Sequence, residues 1–254
     1  MPLPTFRFSA APGWKQLFSQ DCQLCGCRAL DSLCPACARE LPFRHGAGCP
    51  QCAAEGAESQ LCGGCLANPP AFDRTVAVFR YTFPLDRLLQ SYKFRQNLVL
   101  TSLFAGALNT AVSGQPSRPD TLVAVPLARA RLAERGFNQS ALLAESLARS
   151  MDIEFATHGL LKIRDTLPQA GLNRAARLKN VRGAFDCSRS LAGRQVALVD
   201  DVMTTGATLS EAAKVLKKAG AASVSAWVLA RAGREWAMPP AQNDPHQPDI
   251  AIPF

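Results

Sequence analysis

Two adjacent aspartates and a turn rich in threonine and glycine occur together in the sequence ALVDDVMTTGATLSEAA, residues 197–213. Ionised carboxylates accept hydrogen bonds, and the paired hydroxyls of a sugar donate them. A glycine-containing loop that leads into a helix N-terminus presents backbone N–H groups to a phosphate. The two acids would repel that phosphate, so they face another part of the same ligand. The stretch therefore predicts a site for a sugar phosphate.

Three alternatives to a sugar-phosphate site fit this stretch less well. A nucleotide-binding P-loop requires the pattern G-x-x-x-x-G-K-[ST], which is absent upstream of the two aspartates. A phosphate-accepting receiver domain has its acid pair at the first strand, whereas this pair is near the end of the chain. The third alternative is a surface turn without function, and the order of strand, acids, turn and helix argues against it.

The cysteines indicate metal binding. Nine of the ten lie between Cys22 and Cys65, and eight of them form four C-x-x-C pairs with the spacing C-x2-C-x8-C-x2-C and then C-x2-C-x9-C-x2-C. Two C-x-x-C turns supply the four thiolates of a tetrahedral zinc site. A duplicated unit of this kind predicts two structural zinc ribbons, whose closed sites stabilise the fold and do no chemistry. The predicted ligands are Cys22, Cys25, Cys34, Cys37, Cys49, Cys52, Cys62 and Cys65.

Sequential pairing, in which the first C-x-x-C joins the second and the third joins the fourth, is the expected arrangement, and a crossed arrangement is the alternative. A disulfide framework fits less well because disulfides are rare in the cytosol. A redox C-x-x-C needs one pair and not four. Cys27 and Cys187 are left over and are expected to be ordinary thiols.

Length, composition and charge limit the classes of protein to which the chain can belong. The chain has 254 residues, is 48% hydrophobic and has a formal net charge of +8, which allows one large core with a small added module and suggests anionic partners. It contains no apolar run of about 18 residues, so no membrane span is expected. The first residues lack the apolar region of a secretory signal, and a cytoplasmic location is expected.

Periodicity after Cys65 predicts an α/β domain. Buried strands alternate with amphipathic helices, which indicates a parallel sheet flanked by helices. Asp200 and Asp201 are expected at the carboxyl tip of a strand, Asn138 as a helix N-cap and Gly220 just after a helix end. The predicted strands cover 75–81, 121–126, 159–164, 195–200 and 223–231, and the predicted helices cover 84–96, 98–112, 138–150 and 207–219.

The expected domain organisation has four parts. Residues 1–20 form an N-terminal extension and residues 21–68 the double zinc ribbon. A linker at 67–72 leads into the α/β domain at 72–232. The tail at 233–254 contains five prolines and is expected to lie outside the core.

The stretch that contains the two aspartates resembles the ribose-phosphate signature of the type I phosphoribosyltransferases. The resemblance implies that the ligand is 5-phosphoribosyl-1-pyrophosphate (PRPP), with magnesium bound to its pyrophosphate. Asp200 and Asp201 would then hold the 2′ and 3′ hydroxyls, and residues 204–208 the 5′-phosphate. Lys93 and Arg135 are candidates for neutralising the pyrophosphate. The implied PRPP-binding residues are Asp200, Asp201, Met203, Thr204, Thr205, Gly206, Ala207, Thr208, Lys93 and Arg135.

A further set of motifs resembles the ComF family of bacterial phosphoribosyltransferase-like proteins. The chain shares with this family the four C-x-x-C pairs and an ordered series of residues from Cys22 to about Arg231. The matching residues are Lys93, Val125-Pro126, Arg131, Arg135-Gly136-Phe137-Asn138-Gln139, Gln169, Leu172, Arg177, Asn180-Val181 and Ala184-Phe185. The resemblance implies a zinc-bearing, PRPP-binding protein that handles single-stranded DNA during natural transformation, with other DNA-uptake proteins as candidate partners.

Two functions from different classes remain open. The first is a binding module that holds PRPP and single-stranded DNA. The second is an active phosphoribosyltransferase of nucleotide salvage, with an unidentified nitrogenous acceptor. Residues 162–194 contain eight basic residues against two acidic ones. By resemblance to related phosphoribosyltransferases, this basic segment would be a loop that closes over pyrophosphate. It also fits a surface that tracks nucleic-acid phosphates or a solvated basic face without a ligand. No general base and no base-recognition pocket are evident in the sequence.

Overall fold

A computed structural model describes residues 19–46, 48–57, 59–115, 117–165 and 174–233. In chain order the strands are β1 (Gln20–Asp21), β2 (Arg28–Ala29), β3 (Arg74–Arg80), β4 (Thr121–Ala124), β5 (Glu154–Phe155), β6 (Leu161–Lys162), β7 (Phe185–Asp186), β8 (Gln195–Met203) and β9 (Ser223–Arg231). The helices are α1 (Pro35–Arg39), α2 (Gly63–Ala67), α3 (Leu85–Phe94), α4 (Leu100–Ser113), α5 (Arg129–Arg135), α6 (Gln139–Met151), α7 (Arg174–Val181) and α8 (Ala207–Lys218).

Five strands form the parallel sheet that the alternation of strands and helices predicts. Their order is β3-β9-β8-β4-β5, and every neighbouring pair is parallel. The central strands are continuous apolar runs because helices cover both of their faces. In β8, all four residues of the run 196–199 are buried. The fold class expected from the sequence is confirmed.

Each face of the sheet carries its own hydrophobic cluster. One cluster contains α3, α4 and α6, with Leu89, Phe104 and Leu143 fully buried. The other contains α8, with Leu209 and Leu216 buried against the strands. Because side chains alternate along a strand, successive residues of the β8 run 196–199 contribute to opposite clusters.

The cysteine-rich region divides between the two faces. Residues 20–39, here called the first ribbon, pack on the α3–α4 face, where Cys22 and Leu33 belong to the first cluster. Residues 49–67, the second ribbon, pack on the α8 face, where Cys49 and Cys65 belong to the second cluster. The two ribbons are therefore separate units in contact with different parts of the α/β domain.

Several predicted boundaries differ from the structure. Strand β8 continues to Met203, so the two aspartates lie within the strand and not at its tip. The expected linker at 67–72 ends in Phe72, which is only 1% exposed and belongs to the α8 cluster. The predicted strand at 159–164 is reduced to β6, which pairs antiparallel with β7 outside the main sheet.

Other predictions are confirmed closely. Asn138 caps α6, and its side chain accepts a hydrogen bond from the Ser140 N–H. Gly220 has a φ of +102° just beyond the end of α8. The proline-rich tail from 234 onward and the first 18 residues lie outside the described part of the chain, so the predicted extension, the tail and the domain boundaries stay predictions.

Candidate functional site

Asp200 and Asp201 lie near the carboxyl end of β8, where ligands bind in open parallel sheets. Asp200 pairs in register with Val228 of β9 and is half-buried, and Asp201 is buried. The Asp200 Oδ1 accepts hydrogen bonds from the Ser140 hydroxyl and from the Asp201 N–H, both at 2.9 Å. The N-terminus of α6 therefore fixes the orientation of the first carboxylate.

Burial raises the pKa of Asp200 to about 7, and the charge of Asp201 beside it adds to the rise. The hydrogen bonds from Ser140 and from the Asp201 N–H act in the opposite direction. A carboxyl with this pKa is partly protonated and partly ionised near neutral pH when no ligand is present. Such perturbed carboxyls cluster at functional sites.

Lys93 and Arg135 both lie beside the aspartates. The Lys93 Nζ is 2.8 Å from Asp201 Oδ2, so this lysine neutralises the second carboxylate. Arg135 is not an exposed charge on a helix surface, since it is only 8% exposed. Its guanidinium lies 4.8 Å from the ring centroid of Phe94, and Nη1 donates to Gln139 Oε1 at 3.2 Å.

The hydrogen bonding of the buried Arg135 guanidinium is incomplete. Within the described part of the chain, its buried Nε has no hydrogen-bond partner. Burial lowers the pKa of Arg135, and the nearby Asp201 carboxylate raises it. Buried donors in proteins are almost always hydrogen-bonded. A buried cation with a spare donor, next to two carboxylates, is an environment that an anionic ligand oxygen would complete.

The turn after β8 forms a cradle, defined here as residues 203–208. Gly206 is the N-cap of α8 and has a φ of +77°, a conformation that favours glycine. The Thr205 hydroxyl accepts from the Ala207 N–H at 3.3 Å. Met203, Gly206 and Ala207 are buried, and Thr204, Thr205 and Thr208 are half-buried. The cradle places the positive end of a 12-residue helix beside the threonine hydroxyls, which suits a phosphate.

A cleft of about 860 Å³ lies between the second ribbon and the carboxyl ends of β3 and β9. Its size is that of a small-molecule site. Glu55 pairs with both Arg44 and Arg80 there. The lining residues that bear charge or an aromatic ring are Arg44, Glu55, Arg80, Tyr81 and Arg231. No local motif predicts this cleft, because its walls come from four separate regions of the chain.

The second ribbon brings four predicted zinc ligands together. The sulfurs of Cys49, Cys52, Cys62 and Cys65 all lie within 4.8 Å of one another. The Cys52 and Cys62 sulfurs are 3.6 Å apart. Zinc–sulfur bonds of about 2.3 Å in a tetrahedron place the sulfurs about 3.8 Å apart, so the cluster fits zinc. The third and fourth C-x-x-C pairs share this cluster, as the sequential arrangement requires.

The first ribbon gathers four sulfurs, and a fifth cysteine lies next to them. Cys22, Cys25, Cys27 and Cys34 lie within 4.8 Å of one another. The Cys25 and Cys34 sulfurs are 3.8 Å apart, which again fits a zinc tetrahedron. Cys37, a predicted ligand, is not one of these four, but it lies beside them, since its N–H donates to the Cys34 Sγ at 3.5 Å. Cys27, expected to be an ordinary thiol, thus lies within the four-sulfur cluster, whereas the Cys187 thiol donates to the Arg189 carbonyl at 3.3 Å.

The spare thiol leads to a prediction for the first ribbon. Four sulfurs surround a position for one ion that takes four, and Cys37 lies close enough to replace one of them. We expect Cys27→Ser and Cys37→Ser each to retain about two zinc ions per chain, because the remaining thiol completes the tetrahedron. The double variant is expected to retain about one, as measured by elemental analysis after dialysis. Loss of one zinc from Cys37→Ser alone would show that Cys27 does not serve as a ligand.

Comparison with known proteins places the chain in a family. It is 35% identical over 216 residues to competence protein F of Haemophilus influenzae, covering 80% of this chain and 92% of that protein. The chain belongs to the ComF family, the family of competence protein F. Other members include the DNA utilization protein YhgH of Escherichia coli K12, 36% identical over 72% of this chain and 83% of its own. Competence protein ComFC of Bacillus subtilis is 30% identical over 89% of this chain and 92% of its own.

A family model described as the phosphoribosyl transferase domain matches residues 138–244. The match begins at the N-cap of α6, includes both aspartates and the cradle, and contains Arg231. The chain is therefore a ComF family member with a phosphoribosyl transferase domain and two tetrathiol clusters. Within the described residues, no helix combines the length and the apolar character needed to cross a membrane.

Proposed function

We propose that this ComF protein binds PRPP at the aspartate pair and the cradle, and that it acts in the use or uptake of DNA. The observation behind the proposal is the convergence of two carboxylates, two cations and a helix N-terminus at one edge of the sheet. These groups complement a ligand that has a diol and two separated phosphate groups. The role in DNA metabolism is inferred from the names of the relatives in Haemophilus and Escherichia.

Each part of PRPP has a matching group. Asp200 and Asp201 accept hydrogen bonds from the ribose hydroxyls, and the cradle N–H groups donate to the 5′-phosphate. The Arg135 Nε–H donates a hydrogen bond to the pyrophosphate. The Lys93 ammonium interacts electrostatically with both Asp201 and the pyrophosphate. Carboxylate and phosphate oxygens are the ligands that Mg²⁺ prefers, so the proposed site also fits magnesium bound to the pyrophosphate.

The proposed setting is the cytoplasm, where incoming DNA is single-stranded. The candidate DNA contacts are the basic residues of the 162–194 segment. Part of this segment, residues 166–173, lies outside the described structure. Within the described part, Lys162 lies close enough to the site to interact electrostatically with Asp200. A single strand on this segment would therefore lie next to bound PRPP.

An active phosphoribosyltransferase is the second candidate function, and the cleft beside Arg231 favours it. An acceptor nitrogen in the cleft would form a bond to C1 of the ribose. The C1–oxygen bond would break, and pyrophosphate would leave with the electron pair while the acceptor loses a proton. The protein would contribute positioning and stabilisation of charge.

Calorimetry with three ligands tests the proposal. With Mg²⁺ present, we expect PRPP to bind with one site per chain, and ribose 5-phosphate and pyrophosphate each to bind at least about tenfold more weakly, because each lacks one set of contacts. Equal affinity for pyrophosphate and PRPP would contradict recognition of the ribose. Release of pyrophosphate from PRPP on addition of nucleobases would favour an active phosphoribosyltransferase over a protein that only binds PRPP.

Gly206 offers a prediction on the cradle itself. A Cβ at this position would lie 2.6 Å from Met203 Cε, and a non-glycine residue in left-handed conformation costs about 1–2 kcal/mol. We expect Gly206→Ala to weaken PRPP binding about tenfold or more. Gly193→Ala is the matched control, because Gly193 has a φ of +71° and a Cβ added there would meet no atom within 4 Å. Equal PRPP affinities for the two variants would contradict the role of the cradle.

A further inference from the structure

Arg231, the last residue of β9, connects the second ribbon to the cradle. Its Nε donates to the Cys52 carbonyl at 2.9 Å. Its Nη1 donates to the Met203 carbonyl at 3.2 Å, to the Thr204 carbonyl and to the Ala232 carbonyl. One guanidinium therefore links a predicted zinc ligand residue to the first two residues of the cradle.

A second connection runs through the end of the expected linker. The Ala71 N–H donates to the Ser210 hydroxyl in the first turns of α8 at 3.0 Å. Phe72 packs against the cradle, since its ring lies 3.5 Å from the position of a Cβ on Gly206. The Gln51 side chain, within the second ribbon, donates to the Phe72 carbonyl at 3.3 Å. The same cradle is thus held to the second ribbon from two sides.

The first ribbon is attached elsewhere. The Ser32 hydroxyl donates to the Val99 carbonyl at 3.1 Å, and Asn97 donates to the Gln23 side chain. These contacts lie at the start of α4, on the opposite face of the sheet from α8. The two ribbons therefore differ in what they touch, and the first serves as an internal control for the second.

We propose that metal binding in the second ribbon and ligand binding in the cradle are coupled through Arg231, whereas the first ribbon is independent of both. The inference rests on the proposed PRPP site. The Cys52 carbonyl is held in place when the Cys52 thiolate is bound to metal. Opening of the ribbon removes one of the acceptors that orient the guanidinium, and the Met203 and Thr204 carbonyls then lose their common donor. Because linkage is reciprocal, PRPP must stabilise the second metal site by the same factor.

The coupling is tested first with Arg231→Lys. Lysine keeps the charge, but it is a compact donor that does not span both carbonyl groups as the planar guanidinium does. We expect about tenfold weaker PRPP binding with the zinc content unchanged at two ions per chain. Arg74→Lys is the matched control, because Arg74 begins β3 at the other end of the sheet. Its PRPP affinity is expected to stay within twofold of the wild type.

A second measurement uses only the wild-type chain. Hydrogen exchange is followed in peptides 22–37 and 49–65 while a zinc-selective chelator is present, with and without magnesium and PRPP. We expect PRPP to slow the opening of 49–65 about tenfold and to leave 22–37 unchanged. In Arg231→Lys this selective protection is expected to disappear, an effect that a loss of folding stability alone would not produce.

The outcomes separate this inference from the proposed function. Wild-type protein that binds PRPP, together with unchanged affinity in Arg231→Lys or equal slowing of both peptides, overturns the coupling alone. Wild-type protein that does not bind PRPP overturns the proposed function and the coupling with it. If Arg231→Lys fails to fold, the wild-type exchange experiment still decides, because it needs no variant.

Discussion

We expect PRPP binding to be lost when Asp200 and Asp201 are both replaced by asparagine. Each carboxylate is expected to accept a hydrogen bond from the ribose, and a hydrogen bond to a charged group contributes about 1.5–3 kcal/mol. Since 1.4 kcal/mol corresponds to a tenfold change, we expect the dissociation constant to rise at least about 100-fold. Calorimetry with magnesium and PRPP measures the change.

We expect the single substitution Asp200→Asn, in contrast, to stabilise the fold at alkaline pH. The pKa of Asp200 is raised from 3.8 to about 7, so the folded chain binds more protons than the unfolded chain between these values. The resulting stabilisation is present below the ordinary carboxyl pKa and is lost as the pH rises to about 7. At pH 8 the ionised, half-buried carboxylate therefore costs stability, and Asp200→Asn removes that cost. We expect Tm at pH 8 to rise by about 2–4 °C, the change that about 1 kcal/mol produces in a domain of this size.

If Asp200→Asn alone shows both weaker PRPP binding and a raised Tm, misfolding is excluded as the cause. Asp31→Asn is the control, because Asp31 is an exposed aspartate of the first ribbon. Asp31→Asn is expected to change neither the PRPP affinity nor the Tm. PRPP affinity in the double variant within tenfold of the wild type would show that the ligand does not contact these carboxylates.

Removal of zinc is expected to have the largest effect on the fold. Structural zinc sites have apparent binding free energies of about 10–16 kcal/mol at pH 7, and this energy is coupled to folding. Five cysteines, Cys22, Cys34, Cys49, Cys52 and Cys65, are buried within the two hydrophobic clusters of the α/β domain. Loss of metal therefore exposes apolar surface on both faces of the sheet.

We expect two zinc ions per chain by elemental analysis and a Tm lower by more than about 10 °C after chelation, with recovery when zinc is added back. Cys49→Ser is expected to retain about one zinc ion, from the first ribbon. Chains purified without metal, with the same Tm and with the cysteines in disulfides by mass spectrometry, would contradict the zinc ribbons and support the disulfide framework.

The parallel sheet and the candidate ligand site can be located from the sequence because their signals are local. The run at 196–199, the two acids and the turn at Gly206 lie next to one another in the chain, and each has a direct physical meaning. Strand β8 ends three residues later than its composition predicts, because two charged residues are atypical of a strand interior. They are tolerated there because Ser140 and Lys93 supply a hydrogen bond and a countercharge.

The contacts that arise between distant segments cannot be predicted in this way. In the sequence Arg231 is only the end of a strand, yet its partners Cys52 and Thr204 are 179 and 27 residues away. Phe72 follows two prolines, a context that predicts a linker, although its ring is buried in the core. Cys27 falls outside the C-x-x-C spacing, and only the β1–β2 turn brings its sulfur next to Cys25.

A crystal structure with magnesium and PRPP tests the central claim most directly. The account predicts the ribose hydroxyls within hydrogen-bonding distance of the Asp200 and Asp201 carboxylates, the 5′-phosphate on the N–H groups of residues 204–208, and a pyrophosphate oxygen on Arg135 Nε. PRPP bound elsewhere, or with its 5′-phosphate away from the cradle, would contradict it.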